Sequence, residues 1–411
     1  MRVFEADQRL ISSMGMLSQQ MGMLCGMTVC YGNQNEAVYH SLGKRREVLL
    51  KDGVFHPAPE PITDTTVYDL ASLTKLYTLV SVLQLIQKGI ICFEDSIFDL
   101  DRRFARLKDC SLYDCLTYLA LLKTEERVDA QKDADTAREA LYSVRRVPLH
   151  DESRLYSDMN ALVLQFVVEA VTGLPFYEYL KRHVLIPAGL DETWAAVPDE
   201  RLSDLMDYNY EHKWLNGAWQ VTTDAIPGLP HDPKARLLQT ETLNLSGHAG
   251  LFATAKDVCR FVQALLNGTL ISEEMLLSIG VNRTGYLTHL GDYRQFLGLL
   301  CFCRSPIQQK SEVPGWMGLR SFGLAGYTGN HLAIDPEKKV FDLLLGNRCH
   351  NRLSQVIPEE AAEDLGLKPD GSGQVKGPEG RELQSSFRFI HQKDRLVHEP
   401  VYQCLVSRGW L

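Results

Sequence analysis

Strand-like segments lie at both ends of this 411-residue chain, and the stretch between them reads as helical. Near the start, Gly26–Tyr31 and Ala37–Ser41 read as two strands, with Gly32-Asn33 as the turn between them. Near the end, Phe296–Phe302, Ser321–Tyr327, His331–Ile334 and Val340–Leu345 have the same character. Strands at both termini with helices between them imply one sheet built from both ends of the chain. The expected fold is therefore α+β: an antiparallel sheet of N- and C-terminal strands, flanked by helices, with an inserted all-helical region. On this reading residues 1–92 and 241–365 form a discontinuous sheet domain and 93–240 the helical insertion. Residues 366–411 are a Gly/Pro linker, spanning 366–382, followed by a C-terminal tail.

Four helices are marked locally. Residues 4–23 open the chain as an amphipathic helix, and Leu73–Lys88 forms a long apolar one, entered from an extended Val67–Leu70 and stopped by Gly89. Residues 161–172 are apolar on nearly every side, as a buried helix would be. Thr254-Ala-Lys-Asp257 is a capping box for a helix that runs to about Leu266.

Composition excludes several function classes. A net charge of −9 with no basic stripe argues against a nucleic-acid partner, because few phosphate counterions would be released. No run of lysines or arginines marks a membrane surface. The most apolar later run, Leu76–Ile91, carries Gln84, Gln87 and Lys88 and is too short to span a bilayer. Asp7, Arg9, Gln19 and Gln20 interrupt the first 30 residues, which read as mature helix and not as a signal peptide. Ten cysteines without CxxC pairing read as the reduced thiols of a cytoplasmic protein. Cys301 and Cys303, two apart in a strand pattern, read as core and not as metal ligands. No metal and no cofactor are expected, and the oligomeric state is open.

The chemistry begins with what is missing: there is no GxSxG elbow, HExxH, P-loop or dinucleotide fingerprint. Ser-x-x-Lys occurs twice. Ser41-Leu-Gly-Lys44 ends a strand, and Gly43 keeps it from opening a helix. Ser72-Leu-Thr-Lys75 stands at the head of the long apolar helix, where i, i+3 spacing puts hydroxyl and amine on one face. The helix start offers unpaired N–H groups to an oxyanion, and an amine among apolar neighbours tends to lose its proton, as a base for serine must. Taken alone, a capping serine with a snorkelling lysine explains the motif as well. Tyr156-Ser-Asp158 precedes the buried helix, and Tyr327-Thr-Gly329 stands where one strand ends and the next begins. Tyr31-Gly-Asn33 is explained as a turn.

In this order, the three motifs resemble those of the penicillin-recognising serine hydrolases: class C β-lactamases, D,D-peptidases and related esterases. The similarity extends to Asp69-Leu-Ala-Ser-Leu-Thr-Lys75, Leu155–Asn160, Val168–Gly173, Pro187–Thr193, Gly247–Ala255, Asp335–Glu337 and Gly346–Arg348. It covers roughly residues 26–350. The resemblance implies Ser72 as nucleophile, Lys75 as its base and Tyr156 as proton relay. It implies an oxyanion hole from the backbone N–H of Ser72 and of Asn330, and substrate contacts at Asp158, Tyr327, Thr328 and Gly329.

Three departures stand out. Asp158 replaces an asparagine that contacts the substrate amide. Tyr327 replaces a lysine or histidine that would hold a substrate carboxylate. Tyr118-Leu-Ala-Leu-Leu122 stands where His-Thr-Ser-Gly-Leu is usual. His248 reads first as a structural histidine and second as a site-facing one, while Arg348 could reach the site from the segment that follows.

The leading reading is an esterase, amidase or peptidase acting on a small ester, amide or peptide. Alternatives are an acyltransferase or peptide-tailoring enzyme, a β-lactamase or D,D-peptidase, and a binding protein without turnover. The two substitutions at Asp158 and Tyr327 imply a preference for neutral esters over penicillins and D-Ala-D-Ala peptides.

Overall fold

The structure is a computed structural model that describes residues 2–149, 152–239, 245–308, 311–357, 365–366, 374–377, 382–384 and 393–411. Helix α1 (Arg2–Gln20) leads into β1 (Gly26–Asn33), β2 (Ala37–Lys51), β3 (Val54–Pro61) and the short β4 (Val67–Asp69). Helix α2 (Thr74–Gln87) and helix α3 (Asp158–Thr172) follow, then the hairpin β5 (Glu211–Leu215) and β6 (Ala218–Thr222). Strand β7 (Phe252–Thr254) and helix α4 (Ala255–Leu266) precede β8 (Phe302–Cys303), β9 (Phe322–Gly326), β10 (Asn330–Asp335) and β11 (Val340–Gly346). Strand β12 (Leu353–Ile357) and helix α5 (Glu399–Ser407) complete the frame.

The main sheet has the order β8-β9-β10-β11-β1-β2-β3, and every pairing in it is antiparallel. Its seam is β1 against β11, with Val29 opposite Leu344, so the two ends of the chain meet in one sheet as expected. Both faces of that seam are covered. Along β11, Phe341, Leu343 and Leu345 enter the core shared with α2, α3 and α4. Val340 and Leu344 enter a second core with Ile11 of α1 and Val401 and Leu405 of α5. The N- and C-terminal helices thus close the back of the sheet, tied by Arg408 Nε to Asp7 Oδ2 at 2.6 Å.

Helix α2 is buried from Thr74 to Leu85, with Tyr77 stacked on Phe261 of α4 at 3.9 Å between ring centroids. No single helix among the described residues is long and apolar enough to cross a membrane. All ten cysteines are free thiols, and Cys301 and Cys303 are buried.

The middle of the chain is less uniform than its pattern suggests. It contains β5 and β6, a ladder of Leu121–Lys123 with Arg145–Val147, and Thr193–Trp194 paired to β7. These strands are too short for a period-2 signal to rise above the helical background. The expected strand Phe296–Phe302 contributes only Phe302 to the sheet, because Leu300 turns to φ +49° just before it. Strand β2 runs ten residues beyond Ser41 and pairs through two irregularities with β3. Pro57, Pro59 and Pro61 in β3 fit its place at the sheet edge, where a missing N–H costs no ladder bond. Of the expected linker, residues 367–373 and 378–381 lie outside the described residues. Gln374–Lys376 and Glu382–Gln384 pair as a short antiparallel ladder.

Candidate active site

The approach to Ser72 is braced from several sides. Strand β4 ends at Asp69, whose buried carboxylate accepts the N–H of Ala71 at 2.8 Å and of His231 at 2.7 Å. The Asp69 carbonyl accepts from Thr328 Oγ1 at 3.0 Å and Asn330 Nδ2 at 2.7 Å. Held in this way, Ala71 adopts φ +46°, a left-handed conformation costing a non-glycine residue about 1–3 kcal/mol. Ser72 therefore occupies a 3₁₀ turn, Ala71–Leu73, ahead of α2 instead of lying inside it. Gly326, ending β9, packs on this turn: a Cβ there would stand 3.0 Å from the Leu70 carbonyl oxygen.

One helical turn on, Lys75 is fully buried. Its Nζ donates to Ser72 Oγ at 2.7 Å, to Asp158 Oδ1 at 2.8 Å and to the His248 carbonyl at 3.4 Å. Asp158 Oδ2 lies 3.1 Å from Lys234 Nζ, and Lys234 lies 3.2 Å from Asp232 Oδ2. Asp232 Oδ1 is 3.0 Å from His248 Nε2, so the network returns to Lys75 through the histidine backbone. His248 thus braces this ring.

The electrostatics correct one expectation. Burial, the largest single influence, pushes the Lys75 ammonium down, but Asp158 and Tyr156 together overcome it and hold Lys75 above its ordinary value. Burial likewise works to raise Asp158, and Lys75, His248 and Lys234 overcome it, leaving the carboxyl well below its usual range. At rest the pair is ammonium and carboxylate. Apolar surroundings do not strip Lys75 of its proton here, because the surroundings include a carboxylate that sequence spacing did not place beside it.

Tyr156 lies over this pair, with Lys75 Nζ 4.8 Å from its ring centroid. The ring stacks on Phe302 at 4.9 Å and meets Tyr118 at 5.6 Å. Its backbone is pinned by Gln295, whose Oε1 accepts the N–H of Leu155 and Tyr156 at 2.9 and 3.0 Å. The hydroxyl is buried and faces Lys75 and Ser72. Burial pushes the phenol up, with the Lys75 charge working against it. Tyr118, in the segment where His-Thr-Ser-Gly-Leu is usual, donates its hydroxyl to the Leu300 carbonyl at 3.2 Å and so fills that wall.

The third motif forms the turn between β9 and β10. Thr328 and Asn330 point their side chains at Asp69, as described, so they position the serine loop. Tyr327 points the other way, donating to Glu211 Oε1 at 2.6 Å. Its ring is layered between His231, at 5.6 Å and 27°, and the Arg348 guanidinium, 4.6 Å from the ring centroid. Gly329 has φ +111°, and a Cβ there would stand 2.9 Å from Arg348 N. Only glycine lets this turn close on Arg348.

These residues line one cleft of about 990 Å³ that holds Ser72, Tyr156, Asp158, Lys234, Tyr327 and Arg348. Sequence reasoning missed Lys234, Asp232, Glu211 and His231. Asp232-Pro-Lys234 carries only the signature of a helix start, which it also is, with Asp232 capping Lys234 and Ala235. Two groups have donor atoms close enough for a cation: Glu211, His231 and Cys349, and Asp158, Asp232 and His248. Both already face ammonium groups, from Lys213 in the first and from Lys75 and Lys234 in the second. The Cys349 thiol is also pushed well up by burial and by Glu211. Neither fits a metal.

The antiparallel sheet with its flanking helices agrees with comparison to known proteins. The family model for β-lactamase matches residues 17–364. The chain belongs to the β-lactamase family. A relative in Escherichia coli (strain K12), named "Putative D-alanyl-D-alanine carboxypeptidase", is 27% identical over 326 residues, covering 71% of each chain. A Salmonella typhi protein of the same name is 24% identical over 320 residues, covering 71% of this chain and 72% of its own. Among solved structures, EstCE1, described as a hydrolase with promiscuous acyltransferase activity, superposes with TM-score 0.64 at 16% identity. That match covers 84% of this chain and 95% of EstCE1. A class C β-lactamase superposes with TM-score 0.60 at 14% identity, covering 83% and 91%. As a β-lactamase-family member the chain has the α+β fold expected of it and belongs among hydrolases.

Proposed function

We propose that this β-lactamase-family protein is a serine hydrolase that cleaves an ester or amide through an acyl-enzyme on Ser72. The observation that carries the reading is the 2.7 Å contact between Ser72 Oγ and a lysine ammonium, in a cleft and beside the tyrosine hydroxyl that faces both. The Ser72 proton passes to Lys75 as Lys75 hands its own to Asp158, 2.8 Å away, so the pair relays one proton and builds up no second charge. The Tyr156 hydroxyl, facing Lys75 and Ser72, donates to the departing oxygen or nitrogen and takes a proton from the attacking water.

The oxyanion donors are the backbone N–H of Ser72 and, in place of Asn330, that of Tyr327. Gly326 packs on Leu70 and Ala71, so the next N–H along the chain borders Ser72, while Asn330 braces Asp69 from behind.

Asp158 faces two lysines, which balance its charge within the cleft. The fold also admits transfer of the acyl group to an acceptor other than water. The test is an acid quench of the enzyme during turnover of a p-nitrophenyl ester, followed by peptide mass analysis. An acyl adduct on the Ser72 peptide supports the reading, and an adduct elsewhere or none during turnover contradicts it.

A further inference from the structure

Residues 393–411 lie beyond the stretch that the family model matches, yet Lys393 lines the cleft. Buried there, Lys393 Nζ donates to the Ser311 carbonyl at 3.1 Å and pairs with Glu312 Oε2 at 3.2 Å. Trp316 Nε1 donates to the His398 carbonyl at 3.2 Å. Segment 311–317, which brings Glu312 to the cleft, is thus fastened by a part of the chain outside the family core. The fastening point is a buried cluster of titratable groups that the hydrolase chemistry leaves unused. His398 Nδ1 donates to Asp342 Oδ2 of β11 at 2.5 Å, and its ring lies 4.6 Å from that of His331 in β10. His331 Nε2 donates to the Glu312 carbonyl at 2.8 Å, so this imidazole grips the same segment from the sheet.

That bond fixes the tautomer. Nε2 carries the hydrogen, and Nδ1 is buried without a partner among the described residues. A proton added at Nδ1 becomes a buried donor with no acceptor. It also brings a positive charge beside the His398 ring and the Lys393 ammonium. Glu312 Oε2, 3.5 Å from His331 Nε2, is already matched by Lys393, and Asp342 is taken up by His398. Burial first, then His398 and Lys393, hold His331 well below its ordinary range. Helix α5, by contrast, is anchored independently, by Val401 and Leu405 in the second core and by Arg408 on Asp7.

We propose that residues 393–398 are an acid-released latch on the cleft, with the His331 imidazole as its trigger. In the closed arrangement His331 excludes the second proton; in the open one its ring meets water and binds it. Falling pH therefore favours opening, and the closed state is fully held only above the value of a free imidazole. On release, segments 393–398 and 311–317 part, while α5 stays on the sheet.

Hydrogen–deuterium exchange of the full chain tests this, read peptide by peptide and corrected for the pH dependence of free amides. Between about pH 7.5 and about pH 5.5, exchange in 393–398 and 311–317 should rise about tenfold, because a free imidazole titrates at about 6.5. Exchange in α5 should stay level over the same interval. In His331→Gln the side-chain amide can still donate to the Glu312 carbonyl but takes up no proton, so the rise should vanish. A level response in 393–398, or a rise shared equally by α5, overturns the inference, and neither outcome needs a variant. A rise that survives His331→Gln also overturns it, with His331→Asn as the substitute should the glutamine variant fail to fold.

Discussion

Lys75 Nζ and Asp158 Oδ1 stand 2.8 Å apart, and the ammonium they hold is the same one that touches Ser72. The serine's partner is therefore a lysine whose proton is retained by a carboxylate. That relationship governs how the site should respond to pH.

Replacing Asp158 with Asn removes the charge that raises Lys75 and leaves burial, which lowers it, as the dominant influence. A rise of kcat/KM with pH that reports loss of the Lys75 proton should therefore appear in Asp158→Asn, where the relay has lost its acceptor and Lys75 must shed its own proton before it can act as base. A profile without this rise would mean that Lys75 does not carry the titrating proton.

The same charges set a stability plateau. Asp158 and Asp232 are held below the value of about 4 that a carboxyl has in an unfolded chain. Their contribution is complete above about pH 4 and is lost as pH falls toward the folded values. Lys75 and Lys234 are held above the value of about 10.4 of a free lysine, so their contribution is complete below it and is lost as pH rises beyond it. Melting temperature should thus be flat in this respect between about pH 4 and 10 and fall on either side. Asp232→Asn takes one carboxylate partner from Lys234, which keeps Asp158, and the carboxylate from His248, and should cost between the about 1 kcal/mol of an exposed pair and the about 3–5 kcal/mol of a buried one. Chemical denaturation at pH 7 measures it.

Much of this was readable from the sequence, and the unread parts share a cause. Ser72, Lys75, Tyr156 and Asp158 sit on short motifs at helix starts, where i, i+3 spacing reports which groups share a face. The sheet was legible because β1, β10 and β11 are continuous apolar runs. Lys234 and Glu211 were not legible, since they reach the cleft from segments joined to Ser72 only through tertiary packing. The Lys75 proton was misjudged for the same reason: its carboxylate partner is 83 residues away. Arg348 was seen as a weak point and proves to lie inside the cleft.

Tyr156→Phe keeps the stack on Phe302 and Tyr118 and deletes only the hydroxyl that faces Lys75 and Ser72. Turnover should fall about 10²–10⁴-fold, as for a lost proton donor, with the melting temperature preserved. Near-normal turnover would leave the leaving-group proton to Lys75.

Gly329→Ala places a Cβ at 2.9 Å from Arg348 N in a backbone with φ +111°, where an L side chain is strained. A lower melting temperature is expected by thermal denaturation, and an unchanged one would mean that the turn gives way without strain.

The central claim is that Ser72 is the nucleophile, activated by the lysine it touches. Intact and peptide mass measurement after exposure to a fluorophosphonate tests it most directly. The account predicts a single adduct on the Ser72 peptide, none in a folded Ser72→Ala, and markedly slowed labelling in Lys75→Met. A label that persists in Ser72→Ala, or maps to another residue, would contradict it.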